Sequence, residues 1–272
     1  MRLDPEAAAA GFRLATHAVL PSTNAAALHY AVEHTGDTHP LWIVAREQTT
    51  GRGRRGNRWI SPPGNLYATL LLVDPVPPRR APELSFVAAL AVDDAIRDRA
   101  PAMADRLAMK WPNDVLCDGK KLAGILLEGR MLGDKVAVAI GIGVNCLHHP
   151  SSTSYPVTDL AAAGARVDAE ALFTALSAAM PRRLAQWRSA AGFSAVRADW
   201  LARAVGIGET IRVRLPDREL VGRGEGLDDN GCLLLRLADG SLQTIAAGEV
   251  FPLTGSAESK PHHKQMAADG AD

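Results

Sequence analysis

A short basic loop in the first quarter of the chain has the composition of an anion-binding site. Residues 51–56 read GRGRRG, and Arg58 and Trp59 follow. Glycine allows a loop to approach a ligand closely and to adopt positive φ, while the planar guanidinium of arginine binds carboxylate and phosphate oxygens as a fork. The loop therefore suits a reaction that brings two anions together. Taken alone, such a motif more often marks a solvated basic loop or a segment that touches RNA.

A second set of residues that could take part in binding or catalysis lies near the middle of the chain. Residues 110–114 read KWPND, and residues 120–128 read KKLAGILLE. This pattern predicts a strand that ends in a proline turn and a second, apolar strand that opens with two lysines. Gly124 lies inside the second strand, where a glycine often marks the close approach of a ligand. The alternative is a hairpin whose lysines only solvate its turn.

Two shorter motifs complete the set. Residues 141–145 read GIGVN, an apolar strand with two glycines that ends on the polar side chain of Asn145. In the segment PSTN, Ser22 or Thr23 is placed to cap a helix that runs to about His34. Helix capping alone explains these hydroxyl groups, and it is compatible with contact to a ligand.

The elements that must position these motifs follow from hydrophobic periodicity. Strands are predicted at 41–45, 65–73, 107–111, 121–128 and 136–144, and helices at 84–100, 169–187 and 193–204. Between residues 209 and 253, four short β-type runs are separated by turn residues, which indicates hairpins of a small antiparallel barrel. The prediction is an α+β domain over 12–204, a barrel over 205–254 and a disordered tail over 255–272.

Composition excludes several classes of protein. The 272 residues include 30 basic and 30 acidic ones, whereas a dedicated nucleic-acid binder usually carries a basic excess. The three cysteines are far apart and show no CxxC spacing, which argues against a disulfide framework or a zinc site. The N-terminus does not resemble a secretory signal, and no apolar run approaches the ~18 residues needed to span a bilayer. We therefore expect a cytoplasmic protein without a membrane partner, and no metal site is assigned.

Taken together and in this order, the motifs resemble the biotin protein ligase family. The matching segments are 22–24 (STN), Gln48, 51–56 (GRGRRG), Trp59, 110–114 (KWPND), 120–128 (KKLAGILLE) and 141–145 (GIGVN). The C-terminal β-type runs match the small SH3-like domain of that family. The joint pattern outweighs the plainer interpretation of each motif by itself.

The resemblance implies both a fold and an activity. The fold is a mixed β-sheet flanked by helices, of the class II aminoacyl-tRNA synthetase and biotin–lipoate ligase type, followed by an SH3-like β-barrel. The activity is that of an ATP-dependent, AMP-forming ligase. Such an enzyme converts biotin to biotinoyl-5′-AMP with Mg²⁺ and ATP, releases pyrophosphate, and transfers biotin to a lysine of a biotin carboxyl carrier protein domain in a biotin-dependent carboxylase.

The resemblance also assigns binding residues. The predicted set for biotin and its adenylate is Ser22, Thr23, Asn24, Gln48, Gly51, Arg52, Gly53, Arg54, Trp59, Lys121, Gly124 and Asn145. Within it, Ser22, Thr23 and Gln48 would hydrogen-bond the ureido ring of biotin, and Trp59 would pack beside the ligand. Asn145 would line the nucleotide side, and residues 146–158 would cover the adenine.

Three of the matching residues are the predicted catalytic groups. Lys121 would lie between the biotin carboxylate and the α-phosphate, and Arg54 would contribute from the glycine-rich loop. Fixed cations of this kind offset the repulsion between a carboxylate and a phosphate and stabilise the more crowded charge of the transition state. Asp114 would orient or deprotonate the acceptor amine, although an aspartate after Pro-Asn also serves simply to close a turn.

Two competing functions and one partner question stay open at this point. Lipoate ligase chemistry is the nearest alternative on the same fold, and the pairing of GRGRRG with KWPND favours biotin. A non-enzymatic RNA or DNA binder is disfavoured by the zero net charge and the absence of interleaved aromatic residues. About twenty residues precede Ser22, too few for the winged helix-turn-helix of the family's repressors, so we expect no DNA-binding function. A homodimer is left open.

Overall fold

The computed structural model describes residues 1–75, 77–153 and 155–252. The helices of these ranges are α1 (Pro5–Ala9), α2 (Thr23–Glu33), α3 (Glu83–Arg99), α4 (Ala169–Arg188) and α5 (Gly192–Leu201). The strands are β1 (Arg13–Leu20), β2 (Leu41–Gln48), β3 (Leu66–Val73), β4 (Leu107–Lys110), β5 (Asp114–Cys117), β6 (Lys120–Leu132), β7 (Lys135–Val144), β8 (Thr210–Arg214), β9 (Glu219–Leu227), β10 (Leu233–Leu237), β11 (Leu242–Ile245) and β12 (Glu249–Pro252). The predicted tail, 255–272, lies outside the described residues.

The first seven strands form one mixed sheet in the order β1-β2-β3-β7-β6-β5-β4. Strands β1 and β2 run parallel, and the other neighbours are antiparallel. Because successive side chains of a strand point to opposite faces, β2 is buried on both sides. Leu41 and Ile43 pack in a cluster with α2, whereas Trp42 and Val44 belong to the larger core with α3, α4 and α5. This helix-flanked mixed sheet confirms the predicted fold class.

Most of the elements predicted from periodicity are present, and two strands were missed. The helices α3, α4 and α5 and the strands β2, β3, β4, β6 and β7 fall at the predicted positions. Strand β1 escaped prediction because it is an edge strand with mostly exposed side chains, so it has no continuous apolar run. Strand β5 has only four residues and lies between two motifs. It turns the expected single hairpin at this place into a three-stranded unit, β4-β5-β6.

The C-terminal strands form a second, antiparallel sheet in the order β11-β10-β9-β8-β12. The last of the four β-type runs predicted between residues 209 and 253 divides at Ala246–Gly248 into β11 and β12. Strand β12 pairs with β8 at the opposite edge of the sheet. The five strands agree with the expected small β domain. The indole of Trp111 donates a hydrogen bond of 3.0 Å to the carbonyl of Gly231 and so joins this sheet to the first.

A buried charge cluster holds the segment between the two sheets. Asp93, on α3, has no solvent-exposed surface and accepts hydrogen bonds of 2.6 Å from Arg97 and from Arg203. The backbone carbonyl of Arg203 in turn accepts from the amide of Met109 in β4 at 2.8 Å. The cluster therefore connects α3 to the strand that leads into residues 110–114. None of the helices in the described ranges has the length and apolar character that a membrane crossing requires.

Asp93→Asn should lower the free energy of unfolding by about 2 kcal/mol, because Arg97 loses its buried carboxylate partner and Arg203 keeps only Asp94. Urea denaturation followed by circular dichroism measures this change. Asp98→Asn on the same helix is the matched control, since Asp98 is exposed and its pair with Arg99 is a surface contact. That control should change stability by less than about 0.5 kcal/mol. Equal effects of the two substitutions would contradict the assigned role of Asp93.

Candidate active site

The predicted binding residues converge on one cleft at the face of the mixed sheet. Its lining includes Ser22, Thr23, Asn24, Gln48, Arg52, Gly53, Arg54, Trp59, Asp114, Lys121 and Gly124. These residues come from the start of α2, the end of β2, the glycine-rich loop, the β4–β5 turn and the buried part of β6. Segments that are far apart in sequence thus meet in the way that the motif pattern predicts.

Two predicted residues, Gly51 and Asn145, do not line the cleft. A Cβ atom at Gly51 would lie 2.4 Å from the carbonyl oxygen of Trp59, so this glycine permits the close crossing of the two ends of the loop. Asn145 is buried, and its amide donates a hydrogen bond of 3.0 Å to the carbonyl of Thr158. In this structure Asn145 anchors the far end of the segment that was expected to cover adenine.

One corner of the cleft is a network of neutral hydrogen-bonding groups. Ser22 caps α2, and both the backbone amide and the hydroxyl of Thr23 donate to Gln48 Oε1, at 2.9 and 3.1 Å. Below them, Thr69 Oγ1 donates to Asn24 Oδ1 at 2.7 Å. Thr69 was not predicted, although a lone hydroxyl in the apolar strand β3 must find a partner when buried. The network thus orients the amide and hydroxyl groups of five neutral side chains.

Glycine at position 141 makes room for part of that network. A Cβ atom there would lie 2.4 Å from Asn24 Oδ1, a distance that real structures do not tolerate. Asn24 also donates to Glu128 Oε2 at 2.8 Å, and Arg52 contacts the same oxygen at 3.2 Å. Glu128 therefore connects the glycine-rich loop to β6. Sequence reasoning included Glu128 only as the end of a matching block and gave it no role.

The ring of Trp59 lies against two glycines of the sheet. A Cβ atom at Gly143 would come within 2.6 Å of the indole, and one at Gly124 within 3.2 Å. Glycine at these two places therefore lets the loop that carries Trp59 descend onto β6 and β7. The indole nitrogen is buried and has no hydrogen-bond partner among the described residues. Buried donors are normally paired, and this nitrogen is an exception that lies against Gly143.

A cluster of charges occupies the other end of the cleft. Asp114 begins β5, and the hairpin register places it opposite Lys110 of β4. Its carboxylate contacts Lys121 Nζ at 2.7 Å and Lys110 Nζ at 3.2 Å. All three side chains are largely buried. Two ammonium groups thus share one carboxylate, and the cluster carries an excess positive charge.

The segment after β7 approaches the same cluster. The backbone of Lys121 donates to the carbonyl of Pro156 and accepts from the amide of Thr158, both at 2.9 Å. This short pairing brings the ring of Tyr155 to 5.4 Å from Lys121 Nζ and 5.6 Å from Lys110 Nζ. An aromatic face attracts a cation, so Tyr155 lies over the two lysines rather than in solvent.

Arg54 completes the cationic end from the glycine-rich loop. Its guanidinium donates a hydrogen bond of 3.3 Å to Asn113 Oδ1, a neutral acceptor. Burial lowers the pKa of Arg54 from its usual value, and the neighbouring charge of Arg55 adds to that effect. The carboxylates of Asp114 and Glu249 favour the charged guanidinium, and a bound anion would add to their effect.

The C-terminal sheet also contributes to the cleft. Gly248 and Glu249, at the start of β12, belong to its lining. Glu249 lies near enough to favour the charged form of Arg54 electrostatically. Sequence reasoning missed these residues, because nothing in the local pattern of a short β-strand indicates which distant loop it will face.

The fold and the cleft place the chain among ligases that activate a carboxylic acid. Residues 17–145 match the Biotin/lipoate A/B protein ligase family, and residues 206–251 match the Biotin protein ligase C terminal domain. The chain is 46% identical over 237 residues to the biotin–[acetyl-CoA-carboxylase] ligase of Paracoccus denitrificans, covering 85% of this chain and 96% of that one. The chain therefore belongs to the biotin protein ligase family, as its motifs predicted.

Two further similarities agree with this membership. The bifunctional ligase/repressor BirA of Bacillus subtilis (strain 168) is 34% identical over 244 residues, which cover 87% of this chain and 73% of that protein. The crystal structure of the biotin protein ligase from Aquifex aeolicus in complex with biotin and ATP superposes with a TM-score of 0.72 at 25% identity. The superposition covers 88% of this chain and 98% of the Aquifex aeolicus chain.

Gly143→Ala should force the indole of Trp59 away from the sheet and into solvent, because the new methyl group would overlap the ring. We expect a red shift of tryptophan emission and a loss of about 1 kcal/mol of stability. Gly129→Ala in the same hairpin is the control, since its added methyl would meet only ordinary contacts at 3.8 Å and beyond. The shift should vanish in a Trp59→Phe background, and a shift that persists there would refute the assignment.

Proposed function

We propose that this chain activates biotin with ATP to biotinoyl-5′-AMP and then transfers biotin to a lysine of a biotin carboxyl carrier protein domain. The observation that carries this proposal is the polarity of the cleft. One end presents the neutral groups of Ser22, Thr23 and Gln48, and the other presents the excess positive charge around Lys121. Biotin has the matching asymmetry, since its ureido ring is neutral and polar and its valerate chain ends in a carboxylate.

The neutral corner suits the ureido ring for a chemical reason. A ureido group has a carbonyl acceptor and two N–H donors, and it carries no charge. Hydroxyl and amide side chains satisfy both kinds of atom, whereas a charged side chain would pay a desolvation cost without gaining an ion pair. Trp59, which lies over Gly124 and Gly143, would form the apolar wall along the ring and the valerate chain.

The cationic end suits the adenylation step. The biotin carboxylate attacks the α-phosphate of ATP, forms the mixed anhydride and displaces pyrophosphate. Both reactants are anions, so the step needs positive charge held in place before they meet. Lys121 would contact the carboxylate and the α-phosphate, and Arg54 would bind the phosphate from the loop as a fork. Residues 146–158, anchored by Asn145, would cover the adenine.

We propose that Mg²⁺ arrives on the phosphates of ATP, because Mg²⁺ keeps several waters and binds mainly to substrate phosphates. In the part of the chain that the structure describes, no three His, Cys, Asp or Glu side chains lie close enough to hold a metal ion. When bound, the ion would neutralise part of the phosphate charge.

The transfer step gives Asp114 a second role. Both of its oxygens contact ammonium groups. If Lys121 turns toward the phosphate of the adenylate, one oxygen becomes free to accept a proton. The neutral amine of the carrier lysine would then attack the acyl carbon, lose its proton to Asp114 and release AMP. We also propose that the protein acts in the cytoplasm and that it has no DNA-binding function.

The direct test of the proposed function is exchange of labelled pyrophosphate into ATP, measured with biotin and with lipoate as the acid. We expect exchange with biotin and background values with lipoate, because the neutral corner offers partners for a ureido ring that lipoate does not have. Exchange that depends on lipoate instead would establish the alternative ligase activity. Nucleic-acid binding that is steeply salt-dependent and indifferent to biotin would support the non-enzymatic alternative.

Lys121→Ala should slow biotin-dependent pyrophosphate exchange about 100-fold, because one group aimed at developing negative charge contributes roughly 3 kcal/mol to the transition state. Lys120→Ala is the matched control. Its side chain is adjacent in sequence but exposed to solvent, and its exchange rate should stay within about twofold of the parent rate. A Lys121→Ala rate within twofold of the parent would show that Lys121 is not placed as proposed.

Arg54→Gly should separate formation of the adenylate from its retention. The loop must be ordered by the ligand at a cost on the order of 1 kcal/mol per residue, and Arg54 would recover part of that cost through charge-assisted bonds. Without it, biotin-dependent ATP turnover should persist, since Lys121 remains, while biotin appears on lysines of added albumin.

Arg55→Gly is the control for added loop flexibility. Arg55 has a positive φ of 56° and an exposed side chain, so glycine suits its backbone. This variant should not label albumin above the parent level. If Arg54→Gly instead abolishes adenylate formation and labels nothing, the loop arginine acts in the chemical step rather than in retention.

A further inference from the structure

Glu128 is a carboxylate beside the cleft to which the proposed reaction gives no role. It lies on β6, and its Oε2 accepts hydrogen bonds from Asn24 Nδ2 at 2.8 Å and from Arg52 at 3.2 Å. The side chain of Arg52 is about half exposed, whereas Asn24 is only 3% exposed. An exposed ion pair contributes little, but a charged group that pairs a buried amide is expensive to remove. The contact of Glu128 that matters most is therefore the one with Asn24.

The carboxylate of Glu128 decides how the amide of Asn24 is turned. An ionised carboxylate only accepts hydrogen bonds, so Asn24 must face it with Nδ2 rather than with its oxygen. The second amide hydrogen goes to the carbonyl of Leu126 at 3.2 Å, which is likewise only an acceptor. The amide oxygen is thereby directed at the hydroxyl of Thr69, 2.7 Å away.

This orientation passes through Thr69 to Thr23. Thr69 is fully buried, and its hydroxyl lies 2.8 Å from that of Thr23. Because Asn24 Oδ1 cannot donate, the single hydroxyl hydrogen of Thr69 goes to it, and Thr69 can only accept from Thr23. The hydroxyl hydrogen of Thr23 then goes to Thr69 or to Gln48 Oε1, at 3.1 Å. In both cases it stays within the protein, and Thr23 presents only lone pairs to the cleft that it lines.

We propose that Glu128 is a positioning residue for biotin, whose carboxylate makes Thr23 an acceptor for an N–H group of the ureido ring. This inference rests on the proposed function. It acts through the hydrogen-bond chain Glu128–Asn24–Thr69–Thr23, in which each link fixes the direction of the next.

Loss of the carboxylate would allow the chain to reverse. The amide of Asn24 could then turn over and donate to Thr69, which would give its own hydrogen to Thr23. One lone pair of Thr23 would be used inside the protein, and the ureido N–H would lose an acceptor. Affinity for biotin would fall although Glu128 itself does not contact the ligand.

Glu128→Met tests this role, since it removes the acceptor and keeps the length of the side chain. We expect the Kd for biotin, measured by calorimetry without ATP, to rise about 10-fold, as for loss of one hydrogen bond to a charged group. The KM for ATP should stay within about twofold. Glu128→Gln should recover most of the biotin affinity, because its amide oxygen can still accept from Asn24.

Glu33→Met is the matched control. Glu33 lies on α2, the helix that carries Asn24, and its pair with His29 is a surface contact. This variant should bind biotin with the parent Kd.

Double variants separate the chain through Asn24 from an effect through Arg52. In a Thr69→Val background the chain is already interrupted, so Glu128→Met should change the Kd for biotin less than about twofold. In an Arg52→Gln background it should still weaken biotin binding about 10-fold. Losses of similar size in both backgrounds, or the reverse pattern, would overturn the proposal.

Urea denaturation shows whether each variant is folded, and Thr69→Ala replaces Thr69→Val if the latter is not. A Glu128→Met protein that is folded and binds biotin with the parent Kd would refute the role of Glu128 and leave the proposed function standing. If the parent protein itself neither binds biotin nor supports biotin-dependent pyrophosphate exchange, the proposed function is wrong.

Discussion

The carboxylate of Asp114 lies between two buried ammonium groups, and the surrounding elements are arranged so as to hold it there. Lys110 faces Asp114 across the β4–β5 hairpin, and Lys121 lies at the start of the next strand. Buried charges are tolerated only when opposite charges are close and well oriented. The cluster therefore requires β4, β5 and β6 to keep one register. The positive charge that is left over suits the phosphate-bearing ligand that we propose.

The opposite end of the cleft depends on the absence of side chains. At Gly141 and Gly143, a Cβ atom would overlap Asn24 or Trp59. The sheet thus offers bare backbone where the hydrogen-bonding corner and the indole must come close. Because packing inside proteins leaves little free volume, one added methyl group at either glycine would move a residue that is proposed to bind biotin.

The cleft is completed only where the two sheets meet. Trp111 is held by the carbonyl of Gly231, while Glu249 brings a negative charge close to Arg54. Asp93 and Arg203 connect this junction to helix α3. The orientation of the small sheet therefore affects the electrostatic potential of the site. A substitution in the Asp93–Arg203 cluster on α3 can also shift the charged end of the cleft, because β4 connects the two.

Elements with strong local patterns and motifs with unusual composition could be predicted from the amino-acid sequence. Strand β3 and helix α3 were predictable because their apolar residues follow one period without interruption, and the glycine-rich loop because arginine and glycine alternate in it. Three features became visible only in the folded chain: β1 is a strand, Thr69 supports the neutral corner, and Glu249 lies near Arg54. Each of these depends on a partner far away in the chain, and local periodicity carries no information about such a partner. For the same reason the sharing of one carboxylate by two lysines could not be foreseen, since it follows from strand register rather than from residue type.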